Sequence, residues 1–505
     1  MSDHAEPAAT DPGRALRRGV YAILIALAVG DATGRLLAVD SVNRADAERR
    51  AVSVRIDSLR RKLVAQGLDE AAVEERIAAE TPVIEREEQL MRPFLSSNDR
   101  SRWLAIRSLA ELGTFEIDEL LDRHRWNTID MVQHRGRDGQ LHQYSSKPPL
   151  SYVPTAGLYW LVKSITGMTL AEEPYTVGRL LLMIVNVLPL AFLIAIVAAL
   201  AERFGTTDWG RVFVVAAAAL GTMLKPFVVV LNNHLPAAVA AAVTLYAVAR
   251  IVADRDERLR WYALAGLAAA FTASNELPAL SLLALVGAGL AWVNLRATML
   301  AFLPATVVVA AAFFGTNYAA HASWRPPYAH RSQTDPEDNW YSYSYELEGR
   351  TIDSYWLDPQ GIDRGERSRA TYALHVLIGH HGVFSLTPIW LLSAAGLVLW
   401  LRRGDRFAQV AAAGILLMSI VCLAFYIGRP LADRNYGGMT SGFRWMFWFA
   451  PLWLWGMLPA VDGLSRRPLG RAAALVLLAF SALAASYPTW NPWIQPWLFS
   501  WMPTG

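Results

Sequence analysis

An all-α polytopic membrane protein, with about eleven transmembrane helices and two long extracytoplasmic loops, is the fold class this sequence predicts. Three observations predict it. Of 505 residues, 54% are hydrophobic and only 18% charged, a balance too apolar for a soluble chain of this length. The apolar residues fall in blocks such as Leu180–Leu200 and Ala472–Ala485, near the ~20 residues that cross a hydrocarbon core of about 30 Å. Lys and Arg collect in alternate short connections between those blocks.

The first block, Val20–Val39, follows Arg14, Arg17 and Arg18 and is longer than the apolar region of a secretory signal. Asp31 and Arg35 interrupt it before any small-residue cleavage site, so it reads as a retained span. Crossings then follow at 19–39, 176–201, 210–229, 235–253, 261–274, 277–294, 298–316, 384–401, 407–427, 443–461 and 471–487. With the N-terminus cytoplasmic, every short inner loop carries the arginines: Arg203 and Arg211; Arg250 to Arg260; Arg296; Arg402, Arg403 and Arg406; and Arg466 to Arg471. The C-terminus then lies outside, where Trp490, Trp493, Trp497 and Trp501 form an interfacial belt. The placement expected is a bacterial-type inner membrane.

The organisation is therefore a cytoplasmic N-terminus (1–18), a first span (19–39) and a helical insertion (40–95). There follow a first-loop segment with interfacial helices (96–175), spans two to seven (176–316), an aromatic-rich outer loop (317–383), spans eight to eleven (384–487) and an interfacial tail (488–505). Within the insertion, a basic helix with Val52, Ile56, Leu59 and Leu63 on one face precedes Gly67, and Asp69 caps an acidic helix. The two read as an antiparallel hairpin or as separately solvated faces. The net charge of +3, spread along short loops, argues against nucleic acid as a partner. A lone cysteine, Cys422, excludes an intrachain disulfide and a cysteine-rich metal site, and reads as a packing residue.

Chemistry is expected in the loops, because long loops on a rigid scaffold are where sites lie. Ser97-Asn98-Asp99-Arg100-Ser101-Arg102-Trp103 opens an amphipathic helix, with Asp99 at its N-terminal turn. Some fifty residues on, Tyr144-Ser145-Ser146-Lys147-Pro148-Pro149-Leu150 precedes an apolar segment, 150–166, that reads as an interfacial helix. Asp130 lies between the two. Elsewhere, Asp31 and Arg35 are spaced to pair within the first span, and Lys225 and Asn232-Asn233-His234 mark the turn between the third and fourth spans. His380-His381 lacks the spacing of a metal site. Trp324, Tyr328, Trp340, Tyr341, Tyr343, Tyr345, Tyr355 and Trp356 in the second loop suit either sugar stacking or membrane anchoring.

Asp99, Arg102 and Trp103, followed by Lys147-Pro148-Pro149-Leu150 and then a span, resemble the GT-C membrane glycosyltransferases. The nearest likeness is to bacterial aminoarabinose transferases and protein O-mannosyltransferases (glycosyltransferase family 39-like). Gly437-Gly438-Met439-Thr440-Ser441-Gly442-Phe443-Arg444-Trp445 is similar to an element placed before a late span in related transferases. The insertion and the 317–383 loop stand outside the resemblance. It implies a sugar donor linked to polyprenyl phosphate, an extracytoplasmic acceptor (lipid, glycan or protein), direct displacement with inversion, and Asp99 as the catalytic base. Lys147 and Arg444 would hold the carrier phosphate and Arg102 would orient it or Asp99, with Tyr144 and His234 completing the substrate-binding set. Related transferases place an acidic residue at the turn where this chain has Asn232-Asn233-His234, so a metal-assisted variant is not supported, though a divalent cation stays open. The competing classes are a transporter or flippase for a lipid-linked or sugar substrate, for which no inverted repeat is found, and a non-catalytic scaffold.

Overall fold

The computed structural model describes residues 12–89, 96–121, 126–332, 334–347 and 349–502. The first helix, α1 (Pro12–Ala65), does not stop at the membrane surface. It continues into the insertion and turns back at Gly67 into α2 (Glu70–Glu87), which Asp69 caps by accepting the Ala72 N–H at 2.8 Å. Leu63, Val73 and Ile77 fill the seam, and Arg55 bridges Glu87 and Glu88 at 2.6 and 2.8 Å while Arg60 pairs with Glu74. Within the described residues the insertion is thus a hairpin, its basic helix facing its acidic one.

After α3 (Ser97–Glu111), a hairpin of β1 (Met131–Arg135) and β2 (Leu141–Ser145) leads to α4 (Val153–Thr166). At 14 residues, about 21 Å, α4 is too short to cross. Then come α5 (Pro174–Leu182) and α6 (Leu188–Phe204), joined through a π-turn, α7 (Asp208–Leu220), α8 (His234–Val252), α9 (Leu259–Asn275) and α10 (Leu280–Val293). A short α11 (Leu295–Ala297) and a second π-turn run into α12 (Leu303–His321). The second loop holds a hairpin of β3 (Ser344–Leu347) and β4 (Arg350–Asp353) and then α13 (Arg369–Leu377). The chain closes with α14 (Val383–Leu386), α15 (Trp390–Arg403), α16 (Arg406–Gly428), α17 (Ala450–Gly456), α18 (Leu458–Leu464) and α19 (Pro468–Ser486).

Among the described residues, six helical stretches are long and apolar enough to cross a bilayer: Gly13–Val39, Pro174–Phe204, His234–Val252, Leu295–His321, Arg406–Gly428 and Pro468–Ser486. The chain is a multi-pass membrane protein, but the count of eleven full spans does not follow from these lengths. Of the other five expected crossings, α7, α9, α10 and α15 have 13 to 17 residues. The fifth, around 443–461, is broken into a 3₁₀ turn and two seven-residue helices. The expected span 210–229 leaves the α-helix at Leu220, and residues 221–232 run on as buried, largely irregular backbone around a 3₁₀ turn at Lys225–Val229.

Backbone of that kind survives at membrane depth only where protein satisfies it. Asn186 does so, donating from Nδ2 to the Val228 and Val230 carbonyls at 2.9 and 2.8 Å, and Asn232 donates to Phe227 and Val230. Asp31 on α1 pairs with Arg35 at 2.6 Å, and Lys225 of the irregular segment lies 3.4 Å from the same carboxylate.

Two short β-hairpins also depart from the all-α expectation. They lock the outer loops together: Gln133 of β1 donates its N–H to the Trp340 carbonyl at 2.9 Å, Trp356 Nε1 donates to the Ile129 carbonyl at 2.9 Å, and Val132, Tyr144 and Tyr341 share one buried cluster.

A candidate anion-binding active site

Ser96 caps α3 by accepting the Asp99 N–H at 3.2 Å, so Asp99 lies inside the first turn and is not the cap itself. The start of α3 is stitched to the segment after it. Arg100 Nε donates to the Asn127 carbonyl at 2.7 Å, Thr128 Oγ1 to the Ser97 carbonyl at 2.7 Å and Ser101 Oγ to the Asp130 carbonyl at 2.5 Å; Ser101 and Ser145 meet hydroxyl to hydroxyl at 2.7 Å. These bonds bring Arg102 and Lys147, 45 positions apart by their numbers, to one wall of a cavity of about 740 Å³.

Arg444 reaches the same cavity from the glycine-rich element. Gly437 and Gly438 both adopt left-handed backbone, φ +93° and +81°, which glycine accepts without steric cost. The turn aims the Gly437 carbonyl at Arg444 Nε, which donates to it at 2.9 Å, and a Cβ at Gly437 would stand 3.0 Å from that Nε. The guanidinium lies over the Trp493 ring at 5.1 Å.

A hydrogen-bonded chain joins the arginines. Arg102 Nη2 donates to Asn233 Oδ1 at 3.0 Å, and Asn233 Nδ2 donates to Glu276 Oε1 at 2.8 Å. Glu276 Oε1 also meets His234 Nδ1 at 2.5 Å, while Arg444 Nη1 lies 3.2 Å from His234 Nε2. Because a guanidinium only donates, His234 must accept at Nε2 and carry its proton on Nδ1. Glu276 is buried between two apolar helices, and burial pushes its carboxyl up to about 8 despite the pull of Arg444 and Arg102.

Among the described residues neither Arg102 nor Arg444 forms an ion pair, so both present charge to the cavity. Lys147 is paired with Asp130 at 3.2 Å, and burial lowers its ammonium to about 8, partly offset by that carboxylate. The lining also carries Asp363, held by Tyr355 and Asn435 beside the glycine turn, and Asp433, bridged to Arg429 at 2.8 Å and Arg331 at 3.4 Å. Tyr341, Trp356, Tyr426 and Trp445 complete the walls. Unpaired cations with apolar rings suit an anionic group bearing a ring-shaped substituent.

Of the six residues expected at the site, Arg102, Lys147, Arg444 and His234 line this cavity, whereas Asp99 and Tyr144 do not. Asp99 has no exposed surface: Oδ1 accepts the Leu231 N–H at 2.7 Å and Oδ2 is buried without a hydrogen bond. Burial pushes its carboxyl up to about 7, against the Leu231 N–H and the charges of Arg102 and Arg100. Tyr144 stacks on His134 at 4.2 Å and donates to Glu116 at 3.3 Å within the joined hairpins. His380 and His381 meet at 2.5 Å against Tyr436, and among the described residues no three His, Cys, Asp or Glu side chains gather as a metal would require.

The sequence reading missed Glu276, Asp363 and Asp433. For Glu276 a signal existed: it is the sole acidic residue between Glu257 and Asp335, and it sits between two apolar blocks.

No family model and no curated protein matches the chain. Among the solved structures that match are three of an oligosaccharyltransferase. They are those of the Archaeoglobus fulgidus enzyme: the apo form, at 14% identity and TM-score 0.37 over 79% of this chain and 52% of that one, and AglB with an inhibitory peptide and a dolichol-phosphate, at 14% and 0.36 over 78% and 51%. A third, tethered to an acceptor peptide containing an NVT sequon, stands at 15% and 0.36 over 79% and 51%. The chain spans about half the length of these proteins. The superposition is loose, and no residue role is carried over from it.

Proposed function

We propose that the chain is an inverting glycosyltransferase of the GT-C type that moves a sugar from a polyprenyl-phosphate carrier to an acceptor at the extracytoplasmic face of a bacterial-type membrane. The observation that carries this reading is the convergence of Arg102, Lys147 and Arg444 from three separate segments on one cavity, with no carboxylate among the described residues paired to either arginine. A lipid-linked phosphate stays at headgroup depth, and three cations there would hold its oxygens while the sugar C1–O bond breaks. Phosphate leaves readily, so charge stabilisation counts for more than a general acid.

In this reading the acceptor hydroxyl attacks C1 from the face opposite the phosphate and gives its proton to a carboxylate. Asp130 lines the cavity, and among the described residues its carboxylate pairs with Lys147 alone. When the donor phosphate engages Lys147, the Asp130 carboxylate is freed to take that proton. Asp99, the base expected from the resemblance, instead holds Leu231 and with it the segment that brings Asn233 to Arg102.

The test uses membranes containing the full chain and a radiolabelled panel of polyprenyl-phosphate sugars. Transfer from at least one donor, abolished by Arg102→Ala with Arg444→Ala, supports the reading. Transfer from none, or transfer indifferent to that double change, overturns it. Carrier-independent sugar flux in sealed vesicles would mark a transporter instead.

A further inference from the structure

A second cavity, of about 610 Å³, lies at the other end of the bundle. Helix α8 fixes the separation, since His234 at its start lines the first cavity and Arg250 near its end lines the second, 16 residues or about 24 Å away. Six arginines line it: Arg14, Arg17 and Arg18 from the start of α1, Arg203 from the end of α6, Arg211 from the first turn of α7, and Arg250.

The acidic groups around it are already committed. Glu202 takes both Arg17 Nε at 2.7 Å and Nη2 at 2.8 Å as well as the Tyr21 hydroxyl at 2.6 Å. Asp208 holds Arg17 at 2.7 Å and Arg211 at 3.3 Å, and Asp254 holds Arg203 at 2.5 Å and Arg250 at 2.9 Å. Arg250 also reaches Asp256 at 3.1 Å. Arg17 is buried by these bonds and serves as scaffold, whereas Arg14 and Arg18 are exposed and have no ion pair or hydrogen bond among the described residues. The cavity therefore keeps two uncompensated guanidiniums at its mouth, above walls of Tyr21, Ala198, Ala199 and Leu200.

We propose that this cavity binds the phosphate headgroup of an anionic membrane phospholipid. The cations stand at the ends of Gly13–Val39, Pro174–Phe204 and His234–Val252, the depth at which headgroups lie, and the apolar wall behind them suits the glycerol and the first acyl carbons. A free phosphate would use the cations and leave that wall empty.

The experiment titrates the purified full chain in zwitterionic phosphatidylcholine nanodiscs with phosphatidylglycerol, with further phosphatidylcholine and with inorganic phosphate, reading thermal unfolding and lipid retained in native mass spectrometry. Saturable stabilisation by phosphatidylglycerol alone is expected. Arg14→Gln with Arg18→Gln is expected to weaken it about tenfold or more, Arg14→Lys with Arg18→Lys to preserve most of it, and Arg402→Gln, exposed at the end of α15 outside the cavity, to leave it unchanged. Equal stabilisation by the two lipids, or undiminished binding by the double Gln variant, overturns the proposal. Stabilisation by inorganic phosphate to the same extent replaces the lipid with a soluble anion. If the double Gln variant does not fold, the comparison of the two lipids on the wild type decides.

Discussion

Arg444→Lys keeps the charge and removes the geometry, which makes it the sharpest test of the anion site. A guanidinium has five N–H donors. Two are committed here, Nε to the Gly437 carbonyl at 2.9 Å and one Nη1 proton to His234 Nε2 at 3.2 Å, which leaves three for a ligand. A lysine ammonium has three donors radiating from one atom, so it cannot hold Gly437 and His234 together and still present a planar fork to a phosphate. A charge-assisted hydrogen bond is worth about 1.5–3 kcal/mol, so losing one from the transition state lowers kcat/KM roughly 10- to 150-fold. The assay is steady-state transfer from a labelled polyprenyl-phosphate sugar, with the bare polyprenyl phosphate as competitive inhibitor. The inhibition constant should rise with the loss in kcat/KM while the melting temperature stays within a few degrees. Unchanged kcat/KM together with an unchanged inhibition constant would show that Arg444 merely packs on Trp493.

Four further outcomes follow from the same geometry. Gly437→Ala forces a side chain into left-handed backbone at a cost of about 1–2 kcal/mol and pushes on Arg444, so transfer should fall while added Arg444→Lys costs little more; independent, additive losses would break that link. Asp130→Asn should reduce turnover by about 10²–10⁴-fold, whereas Asp99→Asn, which still accepts the Leu231 N–H, should leave it within a few-fold; the reverse ranking would return the base to Asp99. Stability should depend on pH through Asp99: its carboxyl titrates near 7 when folded against 3.8 when free, so the native state holds the extra proton between those values and stability falls as pH rises through them, then levels. Asp99→Asn should flatten that part of a melting-temperature profile, with Glu276 keeping a residual slope of the same sign, and an unaltered profile would contradict the burial of its charge. Arg60→Ala in the exposed hairpin seam should leave both stability and transfer essentially unchanged, as measured by thermal unfolding and the same assay; a marked drop in melting temperature would contradict its exposure.

What the sequence made legible follows from where physics leaves a mark on composition. Lipid requires an apolar surface for some twenty residues, so the six long stretches stand out by inspection. The break after Leu220 does not, because residues 221–231 stay largely apolar and it is Asn186, on another helix, that lets the backbone leave the helix there. The cations of the site were readable because charge beside a span is costly away from a polar surround, and Arg102, Lys147 and Arg444 converge on one polar cavity. Which carboxylate faces them was not readable. An Asp in a helix's first turn and an Asp in a loop look alike along the chain, and only packing closes the surface over Asp99 while leaving Asp130 at the wall. The first β-hairpin was hidden for a similar reason: its five-residue strands, each with a Gln and a His, carry little alternation, and Trp340 and Trp356, which bond to it, come from a loop two hundred residues away.

The dispersal of the cations governs how the protein comes into being. Arg102 and Lys147 leave the ribosome about three hundred residues before the Gly437-Gly438 turn and Arg444. Until then Glu276 and His234 have one arginine between them instead of two, and the growing chain can sit in the membrane with most of its helices inserted and no complete anion site. Truncation anywhere before the glycine turn should therefore yield a membrane-inserted, inert protein, and quality control has a natural checkpoint in the docking of that one loop.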